Sequence, residues 1–460
     1  MKLKFVMMTS ALALGLTAGA AAKVPDEVAA RLGQDLSPLG AEIAGSADGS
    51  IPAWDGGITA PPAGVTFDAK TQTPPDPFGS DQPLFKITGS NMSQYADKLT
   101  AGYQALLSQR DTYFMNVYQT RRTCSAPSFV YDATKRNATV ATLTATSDGG
   151  LDGNGVLGGI MGTPFPIPNN ALELVWDHTL RYRGFKLTRQ FAAFPVQSSG
   201  ATNAITVQDE AILQWSNPAV AKAEDLNNIS LLYISNTVAP ARLAGNVILV
   251  HESLNAAVDP RKAWSYNPGT RRVRRAPDIA YDNPGTNSDG MSTSDAFDGY
   301  NGAPDRYDWT VVGKTEKFIA YNNYAAMNAK YAELIKPVHL NQDLMRYELH
   351  RVWTIEAKLR PGTRHIYSRR VMHLDEDYVG LAASELYDSR GELWRIQEQM
   401  ITNFYHVPIC GIAGEVVYDL QDRRYLALSL RNEEPPTNYA ADELNPDRYT
   451  PQAIRALGVR

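Results

Sequence analysis

The sequence predicts an α+β protein built on one large, curved antiparallel β-sheet, with a helical lid and an extended N-terminal arm. Three observations carry this. From residue 182 onward the chain falls into short β-rich runs separated by Gly, Pro, Asn and Asp, the spacing of an antiparallel meander. Several runs carry apolar residues on one side only, so something must cover that side. Upstream, a proline-braced segment leads into a short amphipathic stretch that supplies a candidate cover.

The elements follow in order. Residues 1–22 read as an export signal: Lys2 and Lys4 are basic, Phe5 to Gly19 is apolar, and Ala20-Ala21-Ala22 fits a cleavage site. No cysteine follows, so no lipid anchor is expected at the mature N-terminus. No later apolar run is long enough for a membrane span. The expected location is the periplasm, with outer-membrane association as its variant. Residues 23–90 read as an extended arm with a short helix over Pro25 to Leu32. The arm is rich in Gly, Pro and Asp, yet Ile51, Trp54 and Phe67 give it reason to lie on the main body.

Residues 91–432 read as the sheet domain. It opens with a helix over Asn91 to Gln109, where Met92, Tyr95, Leu99, Tyr103 and Leu106 recur at helical spacing and Asn91 is placed to cap. In "GTPFPIPNNALELVWDHTLRYRG", Pro164, Pro166 and Pro168 hold the chain extended. Leu172, Val175, Trp176 and Leu180 then share a helical face. This is either an ordinary packed helix or a lid over a cavity. His178 lies off that face near Asp177 and Arg181, with no nucleophile in view to make it a catalytic base.

The runs "FKLTRQFAAF", "NAITVQDEAILQW", "ISLLYIS", "NVILVHESL", "KAWSYNP" and "TRRVRRAP" read as consecutive strands. The last sets Arg271, Arg272, Arg274 and Arg275 around Val273. Such charge protects an edge strand from mispairing, and in an acidic protein it also suits docking to an anionic partner or lipid headgroups. Asp278 to Asp308 reads as a long solvated loop. A calcium site there is the lesser reading, since the EF-hand spacing is absent.

The meander resumes at His350. Arg360-Pro361-Gly362-Thr363 suits a tight turn. Pairing outward from it sets His350 opposite His373, flanked by Glu348 and Asp375, and places Trp353, Ile355, Ala357 and Leu359 on one face with Ile366 and Met372. Opposed imidazoles can share a metal, though a hydrogen-bonded pair is the plainer reading. A second turn at Asp388 to Gly391 leads to Trp394, Ile396 and Met400 on one face. Residues 433–460 form a polar tail that ends in a short helix after Thr450-Pro451.

Composition narrows the function. The chain has 460 residues, is 43% hydrophobic and carries a formal charge of −5, which argues against a nucleic-acid binder. Its two cysteines, Cys124 and Cys410, read as one disulfide in an exported protein, with two buried free thiols as the other reading. There is no G-x-S-x-G elbow, H-E-x-x-H, P-loop or dinucleotide fingerprint, and neither cysteine has metal-ligand spacing. No catalytic residue, metal or cofactor is expected.

The segments "LSPLGAEIAGSADGSIPAWDGG", "GTPFPIPNNALELVWDHTLRYRG", "YNPGTRRVRRAPDIAYD", "RVWTIEAKLRPGTRHIYSRR" and "YDSRGELWR" together resemble the bacterial family called domain of unknown function 1329. That family is similar to the periplasmic lipoprotein carriers of the LolA and LolB type, half-open β-barrels with a helical lid over an apolar cavity. The resemblance implies transit of hydrophobic molecules through the envelope, beside a resistance-nodulation-division exporter and an outer-membrane β-barrel partner. This chain is much longer than those carriers and has no lipobox. The expected function is therefore a periplasmic carrier or binding protein for a lipid, lipoprotein or other apolar compound moving between inner and outer membrane. Leu172, Val175, Trp176, Trp353, Ile355, Trp394 and Ile396 would line its cavity. The alternatives are a hydrolase or metal enzyme using His178 or the His350/His373 pair, and an outer-membrane assembly protein.

Overall fold

A computed structural model of the protein describes residues 24–146, 151–276, 279 and 281–458. The expected signal segment lies outside the described residues. The N-terminal third holds α1 (Asp26–Ala29), β1 (Phe85–Ile87), α2 (Ala101–Gln109), β2 (Met115–Val117) and α3 (Ser128–Val140), then β3 (Thr142–Ala145), β4 (Leu151–Leu157) and α4 (Ala171–Leu180). A meander follows: β5 (Lys186–Val196), β6 (Ile205–Leu213), β7 (Ile229–Ala239), β8 (Val247–Ser253), β9 (Lys262–Asn267) and β10 (Arg272–Arg275). After a long connection come β11 (Tyr307–Ala320), α5 (Tyr324–Asn328), α6 (Tyr331–Leu334), β12 (Tyr347–Leu359), β13 (Arg369–Asp375) and β14 (Gly380–Tyr387). The last elements are β15 (Leu393–Phe404), β16 (Ile409–Asp419), β17 (Arg424–Leu430) and α7 (Pro451–Gly458).

Fifteen of these strands form one sheet. β11 to β17 are antiparallel neighbours in sequence order, β17 then pairs with β5, and β5 to β10 continue the meander. The antiparallel β1–β2 pair joins at Val117, beside Tyr347 of β12. The sheet does not close: β10 ends it on one side and β11 lies at the other. This is the large, open, mostly antiparallel sheet with few helices that the sequence predicts.

Strand register defines two faces, because partners across a ladder share a face. Ile355, Met372, Ser384, Gln397, Val417 and Leu426 follow one another across β12 to β17 on the inner face. Phe191, Val207 and Tyr233 continue it on β5 to β7, the last through its partner Ala211, four residues beyond Val207 on β6. Three bodies cover the sheet. α4 packs on the inner face, where Leu174 and Val175 meet Ile355, Met372 and Leu381. The segment 281–303 runs over the same face; its Met291 is buried among Phe191, Val207, Val417 and Leu426. On the outer face Ile454 of α7 joins Ile212, Leu232 and Leu249. Elsewhere on the outer face α2 and the stretch around α5 and α6 enclose the largest apolar core, with Ile396, Met400 and Tyr418.

Local chemistry explains where the elements depart from expectation. The helix expected over Asn91 to Gln109 is broken, with a single tight turn at Met92–Tyr95 and α2 starting afresh behind Thr100. Thr100 is the better cap: its hydroxyl accepts the Tyr103 N–H at 3.2 Å. The Arg360–Thr363 turn forms, with Gly362 at φ 82°. However, β13 begins only at Arg369, so the connection is a longer loop and the register moves by four residues. Thr354, not His350, lies opposite His373, and His350 stands beyond the end of β13. The even displacement keeps Met372 beside Ile355. Helix α3 and the fourteen-residue β11 are elements the sequence reading did not anticipate. β11 hides its period because Val311 and Val312 are both exposed, at a bulge before Gly313.

Residues 44–84 contain no helix or strand. They lie on the body: Ile58 N–H bonds to Thr123 O at 2.9 Å, the Tyr405 hydroxyl to Pro75 O at 2.9 Å, and Ile51 is buried in the largest core. Cys124 and Cys410 form a disulfide across 286 positions, tying the segment after β2 to β16.

Candidate functional site

Between the inner face of β5 to β8 and segment 281–303 the packing is incomplete. Two adjoining clefts open there, with about 750 and 900 Å³ of space counting their open mouths. Leu231, Tyr233 and Phe297 border both clefts, so the two spaces are neighbours. The larger is walled by Phe191, Val207, Ile248, Val250 and Leu428, and roofed by the Gly285 to Ser294 stretch. Its one arginine, Arg261, is neutralised by Glu252 at 2.8 Å. The strands make both walls by simple alternation: on β6 Val207 points into the larger cleft and Ala211 and Leu213 into the smaller, while Ile212 points out to α7.

The smaller cleft is different in charge. Arg181, Arg183, Arg189 and Arg431 border it, along with Asp298 and Tyr378. Arg181 holds both Asp298 oxygens, at 2.7 and 2.8 Å, and the Tyr378 hydroxyl at 2.7 Å. Arg183 shares Asp298. Burial pushes the Asp298 carboxyl up, but the two arginines overcome it and hold it well below the usual carboxylate range. Arg189 is matched by Asp209, its cross-strand partner, through bonds of 2.8–2.9 Å. Arg431 follows β17 and is buried; its guanidinium donates to the Ile412 carbonyl and has no ion-pair partner among the described residues. Burial lowers its pKa.

Segment 281–303 is held down by charge as well as by Met291. Arg370 binds Asp295 at 2.6 Å, His365 approaches the same oxygen at 3.1 Å, and the Thr293 hydroxyl takes the other at 2.6 Å. Arg395 donates to Gly290 O and Gln397 to Ala296 O. The loop expected to be solvated is thus a packed strap. Asp295 is bound to Arg370 of β13 and Asp298 to Arg181 and Arg183 at the end of α4, and Ser288, Thr293, Asp295 and Tyr300 are buried.

The residues expected to line one cavity are divided. Val175, Ile355 and Trp353 do meet, but in a closed core under α4. Leu172 and Trp176 turn to a second core against β4, where the Trp176 indole N–H bonds to Gly153 O at 2.8 Å. Ile396 is on the outer face, opposite to Ile355. Trp394 sits at a bulge near the start of β15 and donates to Asp419 at 3.1 Å. The cause is that parity within a strand does not reveal which face the neighbouring strands share. The cleft lies instead beside β5 to β8, covered by the strap rather than by α4. Arg272, Arg274 and Arg275 are exposed on β10, the terminal strand, and Arg271 sits in the preceding turn at φ 52°.

The histidines are structural in their contacts. His178 accepts the Leu381 N–H on Nδ1 and donates from Nε2 to Tyr300 O, both at 3.0 Å. Burial, reinforced by Arg181, lowers its pKa to about 3, so it stays neutral. His350 lies between Glu348 at 3.2 Å and Asp375 at 3.4 Å, stacked on Tyr321. His350, Asp375 and Asp377 are close enough to hold a metal, but Arg122 already binds Asp377 at 2.8 Å. His373 bridges Thr354 and Glu385 at 3.0 Å each.

The fold and cleft define a class: an open antiparallel sheet whose inner face is strapped over a partly filled, apolar-walled space. The chain belongs to the family described as protein of unknown function (DUF1329), whose model matches residues 86–455. It is 46% identical, over 99% of both chains, to an uncharacterized protein of Pseudomonas aeruginosa. Among solved structures it is similar to a putative outer membrane lipoprotein-sorting protein domain from Vibrio parahaemolyticus, at 12% identity and TM-score 0.44 over 62% of this chain and 98% of that one. A DUF1329 family protein from Desulfovibrio piger matches at 13% identity and TM-score 0.41, over 59% of this chain and 92% of that one.

Proposed function

We propose that the protein is a periplasmic carrier or binding protein for a hydrophobic molecule, a lipid, lipoprotein or other apolar compound passing between inner and outer membrane. The observation that supports this most is the apolar-walled double cleft under the strap. An apolar ligand gains roughly 25 cal/mol for each Å² removed from water, so such a site works without a reactive side chain. Both ring nitrogens of His178 are hydrogen-bonded, and His350 stands between the carboxylates of Glu348 and Asp375. An exporter of the resistance-nodulation-division type and an outer-membrane β-barrel are the partners this reading implies. The Arg271 to Arg275 edge is the docking patch we assign to an anionic partner or lipid headgroups, and no helix among the described residues is long and apolar enough to cross a membrane.

The test is native mass spectrometry of the protein purified from its own periplasm, followed by organic extraction. A stoichiometric apolar adduct supports the carrier. A clean unliganded mass that persists after challenge with lipids overturns it.

A further inference from the structure

The two clefts differ in charge, and the difference selects a ligand class. Four guanidinium groups border the smaller one, Arg181, Arg183, Arg189 and Arg431. Asp209 neutralises Arg189, and Asp298 is shared between Arg181 and Arg183. Two positive charges are therefore left over. Glu415 lies on the neighbouring strand, but burial pushes its carboxyl up to about 7, so it supplies at most one partial negative charge at neutral pH.

Arg431 is the sharpest case. It is 6% exposed, its guanidinium has a bond to the Ile412 carbonyl, and the Phe404 ring lies 5.0 Å from it. No carboxylate pairs with it among the described residues. Arginine does not shed its proton in proteins, and a buried unpaired cation is costly. Nε of Arg183 is likewise buried without an acceptor. Planar guanidinium forks match carboxylate and phosphate oxygens. Beyond Tyr233 and Phe297 the space turns apolar, with Phe191, Val207 and Val250 as walls and its only arginine already paired.

We propose that the arginine-lined cleft takes the anionic headgroup of a single-chain amphiphile, a carboxylate or phosphate monoester, whose hydrocarbon chain lies in the adjoining apolar cleft. This rests on the carrier reading and gives it a substrate class. Neutral lipids fill the apolar half and leave the arginines unmatched.

The test is a titration of the full mature protein, followed by native mass spectrometry, with dodecanoate, dodecyl phosphate and dodecanol, and with acetate and inorganic phosphate as headgroups alone. One equivalent of dodecanoate or dodecyl phosphate is expected to bind at least tenfold more tightly than dodecanol, and the tighter of the two identifies the headgroup. Arg431→Gln is expected to abolish the difference between anion and alcohol, and Arg431→Lys to restore part of it. Arg183→Gln serves if Arg431→Gln fails to give a folded circular-dichroism spectrum. Equal affinity for dodecanol and both anions overturns the proposal and leaves the carrier reading standing. Headgroups that bind as tightly as the amphiphiles overturn it too, as a site for small anions alone. Binding of none of the five overturns the carrier reading and this proposal with it.

Discussion

Tyr233 of β7 and Phe297 of the strap stand with ring centroids 5.8 Å apart, tilted by 48°, where the two clefts meet. This is a contact between sheet and cover that borders both spaces. Phe297→Ala removes apolar surface from any chain lying there, worth about 1–2 kcal/mol at about 25 cal/mol per Å². Titration with Nile red is expected to show about tenfold weaker binding, with the same thermal midpoint within a few degrees.

The strap's anchor is the Asp295–Arg370 pair, buried under Tyr300 and Tyr307. Burial pushes the Asp295 carboxyl up, yet Arg370 and His365 hold it well below the usual range. Removing one partner of a buried pair costs about 3–5 kcal/mol, because the other charge is left uncompensated. Asp295→Ala is expected to lower the urea midpoint accordingly and to expose residues 281–303 to limited proteolysis. A variant as protease-resistant as the parent would show that Met291 alone holds the strap.

The Cys124–Cys410 bridge closes a loop of 286 positions. Disulfides of long loops stabilise by about 2–4 kcal/mol in practice, chiefly by restricting the unfolded chain. Cys124→Ser with Cys410→Ser is expected to lose that amount in denaturant unfolding while keeping the far-ultraviolet spectrum.

Glu398 is buried among Tyr103, Tyr113 and Tyr347, with the Tyr347 hydroxyl 3.2 Å from Oε2 and no partner for Oε1. Burial raises its pKa to about 7. A folded-state value above the unfolded one gives stability that is present in full below the unfolded pKa and is lost as pH rises through 7. The span is about 3 kcal/mol. Glu398→Gln keeps the shape without the charge. Its melting point relative to the parent is expected to rise between pH 5 and pH 8.5; a constant difference would place the carboxyl in a solvated setting.

His178 ties α4 to both the strap and β14. Its loss leaves the Leu381 N–H and the Tyr300 carbonyl buried without partners, at about 1–3 kcal/mol each. His178→Ala is expected to be destabilised by that order, and its capacity for a bound apolar probe to persist in the folded fraction.

Much of the meander was legible because β6 and β7 are half-buried and alternate over most of their length. Arg189 also carried a signal, since it falls in phase with Leu187 and Phe191, a charge on an apolar face. Asp209 does the same between Val207 and Ala211 on β6. Read together, they mark an inward ion pair on neighbouring strands, which the structure joins at 2.8 Å. Arg431 and Asp298 offered no such cue, because each lies outside the strands and meets the cleft only through long-range packing.

The sequence by itself determined the class of fold, the strands of the meander and the charged strand at Arg272 to Arg275, and it left the two cysteines open between a bridge and free thiols until the structure joined them. These are properties of local period, turn chemistry and count. Tertiary structure alone decided which face each strand contributes. Ile355 and Ile396 read alike along the chain, yet they end on opposite sides of the sheet, because face is inherited through the registers and bulges of three successive strand pairs. It also decided that the Asp-rich connection is a packed strap, since Asp295, Asp298 and the Gly290 carbonyl find their arginines only when β13, the end of α4 and β15 are brought to one face.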